Sequence, residues 1–396
     1  MSEFPDAALQ FDFTTNNALN EQYGNNPNCL FLTRSAQTKA SGYLNNLGFL
    51  QFAETANTPR FEYTNGACRG LRLDGYVTVT NLLGNTIVFG TSGTTFNWSQ
   101  SNISGAGTAN ATGPDNTTSA VTFTATAANG TVSQSRGAVG VGGRVFSVWL
   151  RRPSGGGSGN IQITYNTAGT WTTVSVTDSW QRFSVVATSG SAVPGIRIVT
   201  SGDKVEAYAP MLQVYSSTFY KSAGPEVISL ANNTTALGDA PQIKLPASSN
   251  AAVGASVFVE FEQSDRYGIA NGSQTYITFD DGNDSYISYT QTRSDESVLG
   301  DSWAAEVSSS STAYLSTSGD SDTSEQLNRV CLAIQNGSAR LVRNGETLLD
   351  LVDSNIVFPN WESQVVSMNC AWTYIRKIAV FEGMKTVAQM EAMTSW

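Results

Sequence analysis

Val121-Thr122-Phe123-Thr124-Ala125-Thr126 and Thr131-Val132-Ser133-Gln134-Ser135 stand on either side of Asn129-Gly130. In both segments apolar and polar side chains alternate, the period of a strand with one buried face. Asn-Gly is a strong short-range hairpin signal, because both residues tolerate the positive φ that a tight turn needs. The two segments are therefore expected to pair. The same alternation continues through Arg144-Val145-Phe146-Ser147-Val148-Trp149-Leu150, Ile161-Gln162-Ile163-Thr164-Tyr165, Trp171 to Val176, Trp180 to Val185 and Gly195-Ile196-Arg197-Ile198-Val199. Many short strands with turns about every 8–15 residues indicate a β-sandwich or jelly roll. The run Ser154 to Gly159 reads as a flexible glycine-rich turn, since no Lys-Ser/Thr follows it to make a phosphate cradle.

Beyond residue 225 the pattern repeats. Ser256 to Glu262 is a strand, Tyr276 to Phe279 and Tyr286 to Tyr289 bracket a turn, and Arg329 to Ile334 pairs with Ala339 to Arg343 around Asn336-Gly337. Near the end, Thr386 and Gln389 form a capping-box pattern, with Val387, Met390 and Met393 on one side of a short helix. Residues 1–56 carry one alternating strand, Leu9 to Phe13, and otherwise short apolar phrases among Asn and Gly turns. The fold expected is all-β: an N-terminal arm and linker over residues 1–75, two antiparallel β-sandwich domains over 76–225 and 226–396, and a short C-terminal helix.

The 396 residues are 40% hydrophobic and 14% charged, with 18 Phe, 14 Tyr and 8 Trp, enough to bury cores and unlike a disordered chain. A net charge of −10 and a longest basic run of Arg151-Arg152 exclude nucleic acid as an expected partner. No segment approaches the roughly 18 continuous apolar residues of a membrane span. Met1 to Asp6 has neither a basic n-region nor an apolar h-region, so no secretory signal is expected. Cysteines stand at 29, 68, 331 and 370 without a C-x-x-C pair and read as buried thiols; a Cys331–Cys370 disulfide stays open.

There is no histidine. That removes Ser-His-Asp and Cys-His nucleophiles and most zinc hydrolase designs. A glycosidase needs only two carboxylates. Glu260 and Glu262 share one face of a strand, roughly 7 Å apart by strand rise, and read as solvated groups opposite Val257, Val259 and Phe261. The chain is not expected to be an enzyme. Asp280, Asp281, Asn283 and Asp284 offer oxygen ligands of the kind calcium takes, without EF-hand spacing, and the same residues suit a turn.

Four parts of the chain carry a family resemblance. Pro59-Arg60-Phe61, Arg69-Gly70-Leu71 and Thr80-Asn81-Leu82-Leu83 resemble a linker of bacteriophage structural proteins that joins a virion-proximal arm to a carbohydrate-binding jelly roll. Asp12-Phe13-Thr14, Thr33-Arg34-Ser35-Ala36 and Leu50-Gln51-Phe52-Ala53 resemble the leader of the same proteins. Phe146 to Leu150, Ser179 to Phe183 and Val205 to Leu212 resemble cellulase-associated carbohydrate-binding jelly rolls. The strand order of 226–396 is similar to laminin-G and concanavalin-A-like domains.

The resemblance implies a fiber or tail protein located on the virion. It would dock on virion structural proteins by its N-terminal arm and display lectin-like sandwiches to host cell-surface polysaccharide, as a homo-oligomer, a trimer in the pattern of such fibers. The alternative is an architectural decoration or tail adaptor without glycan binding. Sugar rings stack on exposed aromatic rings. Trp98 and Trp171, beside Asn/Ser/Gly-rich loops, and Trp303 and Trp361 in the second sandwich are the candidates; Trp149 and Trp180 are in phase with the core.

Overall fold

The computed structural model describes residues 4, 6–7, 9–14, 30–33, 42–52, 60–73, 79–90, 97–105, 107–136, 143–187, 192–215, 234–236, 240–244, 252–263, 272–280, 286–293, 302–309, 312–319, 327–354, 356, 365–367 and 373–395. The described residues are almost all β, in antiparallel sheets, with one short helix near the C-terminus.

The middle of the chain forms a sandwich. One sheet runs, in order, Ala111–Thr112, Thr118–Ala125, Lys204–Tyr215, Gly143–Arg151 and Gln181–Ala187, with Ile103–Ser104 also on Thr118–Ala125. The facing sheet runs Thr172–Ser175, Asn160–Thr164, Gly195–Ile198, Gly130–Gln134 and Trp98–Ser101. Val121, Phe123, Phe146, Val148, Leu150, Val205 and Leu212 from the first meet Val132, Ile161, Ile163, Ile196 and Ile198 from the second. Each such side chain, fully buried, contributes about 1.5–3 kcal/mol.

The expected hairpin at Asn129-Gly130 does not form. Thr118–Ala125 pairs with Lys204–Tyr215, while Gly130–Gln134 pairs with Gly195–Ile198 and Trp98–Ser101. Residues 126–129 instead carry the chain from one sheet to the other: the Thr126 amide donates to Asn102 O (2.9 Å) and the Asn129 amide to Val199 O (3.0 Å). Asn129 does take a positive φ, +58°. Alternation was no guide here, because both strands turn their apolar side chains into the same core whether paired or facing each other. The Asn344-Gly345 and Asn336-Gly337 turns do close hairpins, with Arg343 opposite Glu346 and Gln335 opposite Ser338.

The C-terminal half supplies two further sheets. The larger runs Glu346–Val352, Ser338–Arg343, Leu327–Gln335, Ala255–Gln263, Thr373–Glu382, Ala67–Leu73 and Phe61–Thr64, with Leu9–Asp12 on the Thr373–Glu382 strand. The other runs Leu30–Thr33, Ala240–Lys244, Val365–Ser367, Gly272–Asp280, Tyr286–Arg293, Ser302–Ser309 and Thr312–Gly319.

Described residues from the 1–75 segment join the larger sheet and its core. Phe11, Phe13, Phe61, Tyr63 and Leu71 fill the same core as Val257, Val259, Phe261, Val330 and Ile378, with the Phe11 and Phe13 rings stacked at 5.8 Å. Arg69-Gly70-Leu71 is part of this join. Arg69 pairs with Glu262 and lies 4.7 Å over the Tyr374 ring, and Leu71 is buried. Gly70, at φ +139°, passes so close to the Ile375 carbonyl that a β-carbon would overlap it.

The strand Ala255–Gln263 is central and covered on both sides. Its outer face meets the helix Val387–Thr394: Met390 packs with Phe4, Phe258, Cys331 and Phe381. Thr386 and Gln389 close the expected capping box. Glu260 is correspondingly not solvated. It is 2% exposed and held by Arg329 Nε at 2.9 Å and Arg376 Nε at 3.5 Å, while Glu262 pairs with Arg69 and Arg376.

Candidate functional site

The middle sandwich has two outer faces, and one is occupied. The hairpin of Gly42–Leu44 and Leu50–Phe52 lies on the six-stranded sheet, where Leu50 and Leu44 pack with Ala120, Trp149, Tyr208 and Ala209. The Leu50 amide donates to Pro114 O (2.8 Å). Trp149, between the inward Val148 and Leu150, points to this outer side and is buried beneath the hairpin rather than in the central core. Trp180 is half-buried at the edge of the same cluster; its indole donates to Thr112 O (3.2 Å) and its ring lies 4.9 Å from the Arg151 guanidinium.

The five-stranded sheet keeps a polar outer face. Its inward residues leave Thr131, Gln162 and Arg197 in the opposite phase, between Gly130 and Val132, Ile161 and Ile163, and Ile196 and Ile198. The register lines them up: Ser101 opposite Thr131, Thr131 opposite Arg197, Arg197 opposite Gln162, Gln162 opposite Thr173. This is a straight row across all five strands. It is wired together. Arg197 donates from Nε (2.7 Å) and from a second nitrogen to Gln162 Oε1, and Gln162 Nε2 donates to Thr173 Oγ1 (3.1 Å).

Trp171 stands at one end of this row, half-buried, with the Arg197 guanidinium 4.4 Å from its ring centroid. Its position follows from the loop before it. The buried Thr164 hydroxyl donates to Thr170 O (2.8 Å), and the Thr167 amide to Val193 O (3.0 Å). The Gly169 amide donates to Asn166 O (2.8 Å), and Asn166 Oδ1 accepts from the Ala168 amide (3.1 Å). The loop is closed on itself and on the neighbouring strand, so the indole is presented from a fixed base.

The other candidates fall elsewhere. Trp98 is 2% exposed, donates to Gly84 O (3.1 Å) and packs 4.7 Å from Phe89, so it belongs to the core and offers no face to a ligand. Its strand phase turns it inward, which the composition of the flanking loops did not reveal. Trp303 lies in Ser302–Ser309, in register with Gln291 and Ser318, with its side chain outside the described residues. Trp361 lies outside them altogether, as do Asp281, Asn283 and Asp284; Asp280 ends Gly272–Asp280 opposite Tyr286. Among the described residues no group of three acidic, His or Cys side chains converges as a metal site.

Sequence reasoning passed over Arg197 and Gln162. The signal was present: in Ile161-Gln162-Ile163 and Ile196-Arg197-Ile198 the polar residue is flanked by two core isoleucines, which fixes its side of the sheet. The glycine-rich turn is also less free than expected. Asp203 accepts from the Ser158 amide (3.0 Å) and fills the space beside Gly157. That turn walls a polar cleft of about 640 Å³ with Arg151, Arg152, Asp178 and Glu206, whose floor is the Arg151–Glu206 ion pair (Nε to Oε2, 2.7 Å).

No family model matches the chain, and no curated protein sequence matches it. Among solved structures, the CBM40 module of the Ruminococcus gnavus IT-sialidase bound to α2,3-sialyllactose is similar over 36% of this chain and 83% of its own, at 15% identity and a TM-score of 0.29. The binding domain of botulinum neurotoxin serotype D is similar over 39% of this chain and 40% of its own, at 12% identity and a TM-score of 0.30. A leech intramolecular trans-sialidase is similar over 36% of this chain and 23% of its own, at 17% identity and a TM-score of 0.28. Likeness at this level assigns no ligand to this chain.

Proposed function

We propose that the open face of the five-stranded sheet binds glycan, and that the chain displays this face on a bacteriophage particle. The observation that carries the binding reading is the arrangement of Trp171, Arg197, Gln162 and Thr173 on the outer face of the middle sandwich that the described residues leave uncovered. The part of the Trp171 indole that the Arg197 guanidinium leaves uncovered supplies an apolar surface for the C–H face of a sugar ring. Amide, hydroxyl and guanidinium groups in register beside it supply donors and acceptors for ring hydroxyls. The row is held by its own hydrogen bonds, so little ordering entropy remains to be lost on binding.

The virion reading rests on the resemblance of Pro59-Arg60-Phe61 and Arg69-Gly70-Leu71 to phage linkers. Arg60 and Leu71 themselves are buried in the sheet they help to build, so docking on virion proteins falls to other parts of residues 1–75. Weak sites repeated in a trimer can gain a factor of roughly 10²–10⁴ in avidity. The carboxylates Glu260 and Glu262 are each held by arginine within the larger C-terminal sheet, an arrangement that serves the fold rather than acid–base chemistry.

A glycan array probed with the full chain and with Trp171→Ala tests the reading. Binding by the parent and at least a tenfold loss in the variant are expected. No binding by the parent to any array glycan would favour the architectural alternative.

A further inference from the structure

We infer that the glycan recognised on this face carries a carboxylate, taken end-on by Arg197; this rests on the binding reading above. Six other described arginines have a carboxylate partner within the chain: Arg69 with Glu262, Arg72 with Glu62, Arg151 with Glu206, Arg329 with Glu260, Arg340 with Asp350 and Arg376 with Glu260. Arg343 also bonds an amide oxygen, Asn328 Oδ1 (3.0 Å), but is buried, whereas Arg197 is half-buried on the outer face of its sheet. Its partners among the described residues are the neutral amide oxygen of Gln162 and the Trp171 ring.

The geometry of those partners leaves a defined edge. A guanidinium has five N–H groups. Gln162 Oε1 takes one from Nε and one from NH2, the side edge of the fork. The end edge, one N–H from each terminal nitrogen, has no partner among the described residues and matches the two oxygens of a planar carboxylate. Trp171 beneath the plane and Gln162 beside it fix the fork before any ligand arrives. The rest of the row, Ser101, Thr131 and Thr173, is neutral and puts no competing anion beside Arg197. The net charge of −10 opposes an anion at long range, so recognition must come from this short-range contact.

The ligand class is a polysaccharide with a uronic-acid type carboxylate, its carboxylate on Arg197 and its ring against the part of the Trp171 indole that the guanidinium does not cover. The test uses oligomers of galacturonate, of mannuronate and of hyaluronan, each as the acid and after carboxyl reduction to the neutral sugar, titrated into the full chain. At least one acid is expected to bind 10–100-fold more tightly than its reduced form, the worth of a charge-assisted pair. Arg197→Gln should abolish that preference with an unchanged melting temperature, and Arg197→Lys should restore only part of it. Equal affinity for acid and reduced forms, no binding by any acid, or a preference that survives Arg197→Gln would overturn the inference. Neutral glycans bound on the array through Trp171 would, in that case, leave the broader reading standing; an array with no ligand at all would remove both.

Discussion

Arg197 lies over Trp171, its guanidinium carbon 4.4 Å from the ring centroid, while two of its N–H groups hold the side-chain oxygen of Gln162. The pair joins the neighbourhood of a sheet edge to the middle of the sheet and gives the outer face one rigid aromatic and one rigid cation. Trp98, on the opposite edge strand of the same sheet and turned to its inner side, is instead core. The two tryptophans should therefore part company on mutation. Trp171→Ala should weaken glycan binding about tenfold or more while shifting the melting temperature by no more than a few degrees. Trp98→Ala should cost about 3–5 kcal/mol of stability, as large core truncations do. Parallel thermal unfolding and glycan titration of both variants check this; a stable Trp98→Ala or a collapsed Trp171→Ala would contradict the placement.

Gly70 is the tightest point of the join between the N-terminal residues and the C-terminal sheet. Its φ of +139° and the Ile375 carbonyl leave no room for a side chain. Gly70→Ala should lower stability by on the order of 2 kcal/mol or more. Gly66→Ala, also at positive φ but with its nearest neighbour, Asn46 O, 3.8 Å from a β-carbon, should cost less. Urea unfolding midpoints give the order, and equal midpoints would refute it.

The hairpin over the six-stranded sheet decides which face is open. Leu50→Ala should cost about 2–5 kcal/mol, and Leu50→Asp should expose Trp149 and shift tryptophan emission to the red. An unshifted spectrum and full stability in Leu50→Asp would mean that the hairpin does not cover that face.

Stability should fall in alkali. Burial raises the Cys331 thiol above its ordinary value, and burial, then the Cys68 charge, pushes the Tyr63 phenol from 10.0 up to about 12. The neutral forms are thus favoured by folding. Their contribution is complete below the unfolded-state values of 9.0 and 10.0 and is lost as pH rises through and beyond them towards the raised folded values. Urea midpoints should be level between pH 7 and 8 and decline between about pH 9 and 11, with a shallower decline in Tyr63→Phe. A midpoint constant to pH 11 would contradict the burial of these groups.

The sheet class was readable because alternation is a local property: Ile161-Gln162-Ile163 needs no partner to show which residue faces the core. Partner choice was not. Asn129-Gly130 looks the same whether the next strand pairs or crosses the sandwich, and only the contacts of Lys204–Tyr215 and Gly195–Ile198 decide it. The same limit hid the role of Phe11, Phe13 and Leu71, whose core lies more than 180 residues along the chain. For the site, loop composition pointed equally to Trp98 and Trp171, and strand phase separated them. Arg197 was legible in phase but not in company; that it meets Gln162 and Trp171 rather than a carboxylate is a fact of register.

The most direct measurement is a crystal structure of the chain with its tightest array glycan. The account predicts a sugar ring within about 4 Å of the Trp171 indole, in ordinary van der Waals contact, with its polar groups along Arg197, Gln162 and Thr173. A glycan bound instead in the Arg151–Asp178 cleft or on the C-terminal sheets, with Trp171 bare, would contradict it.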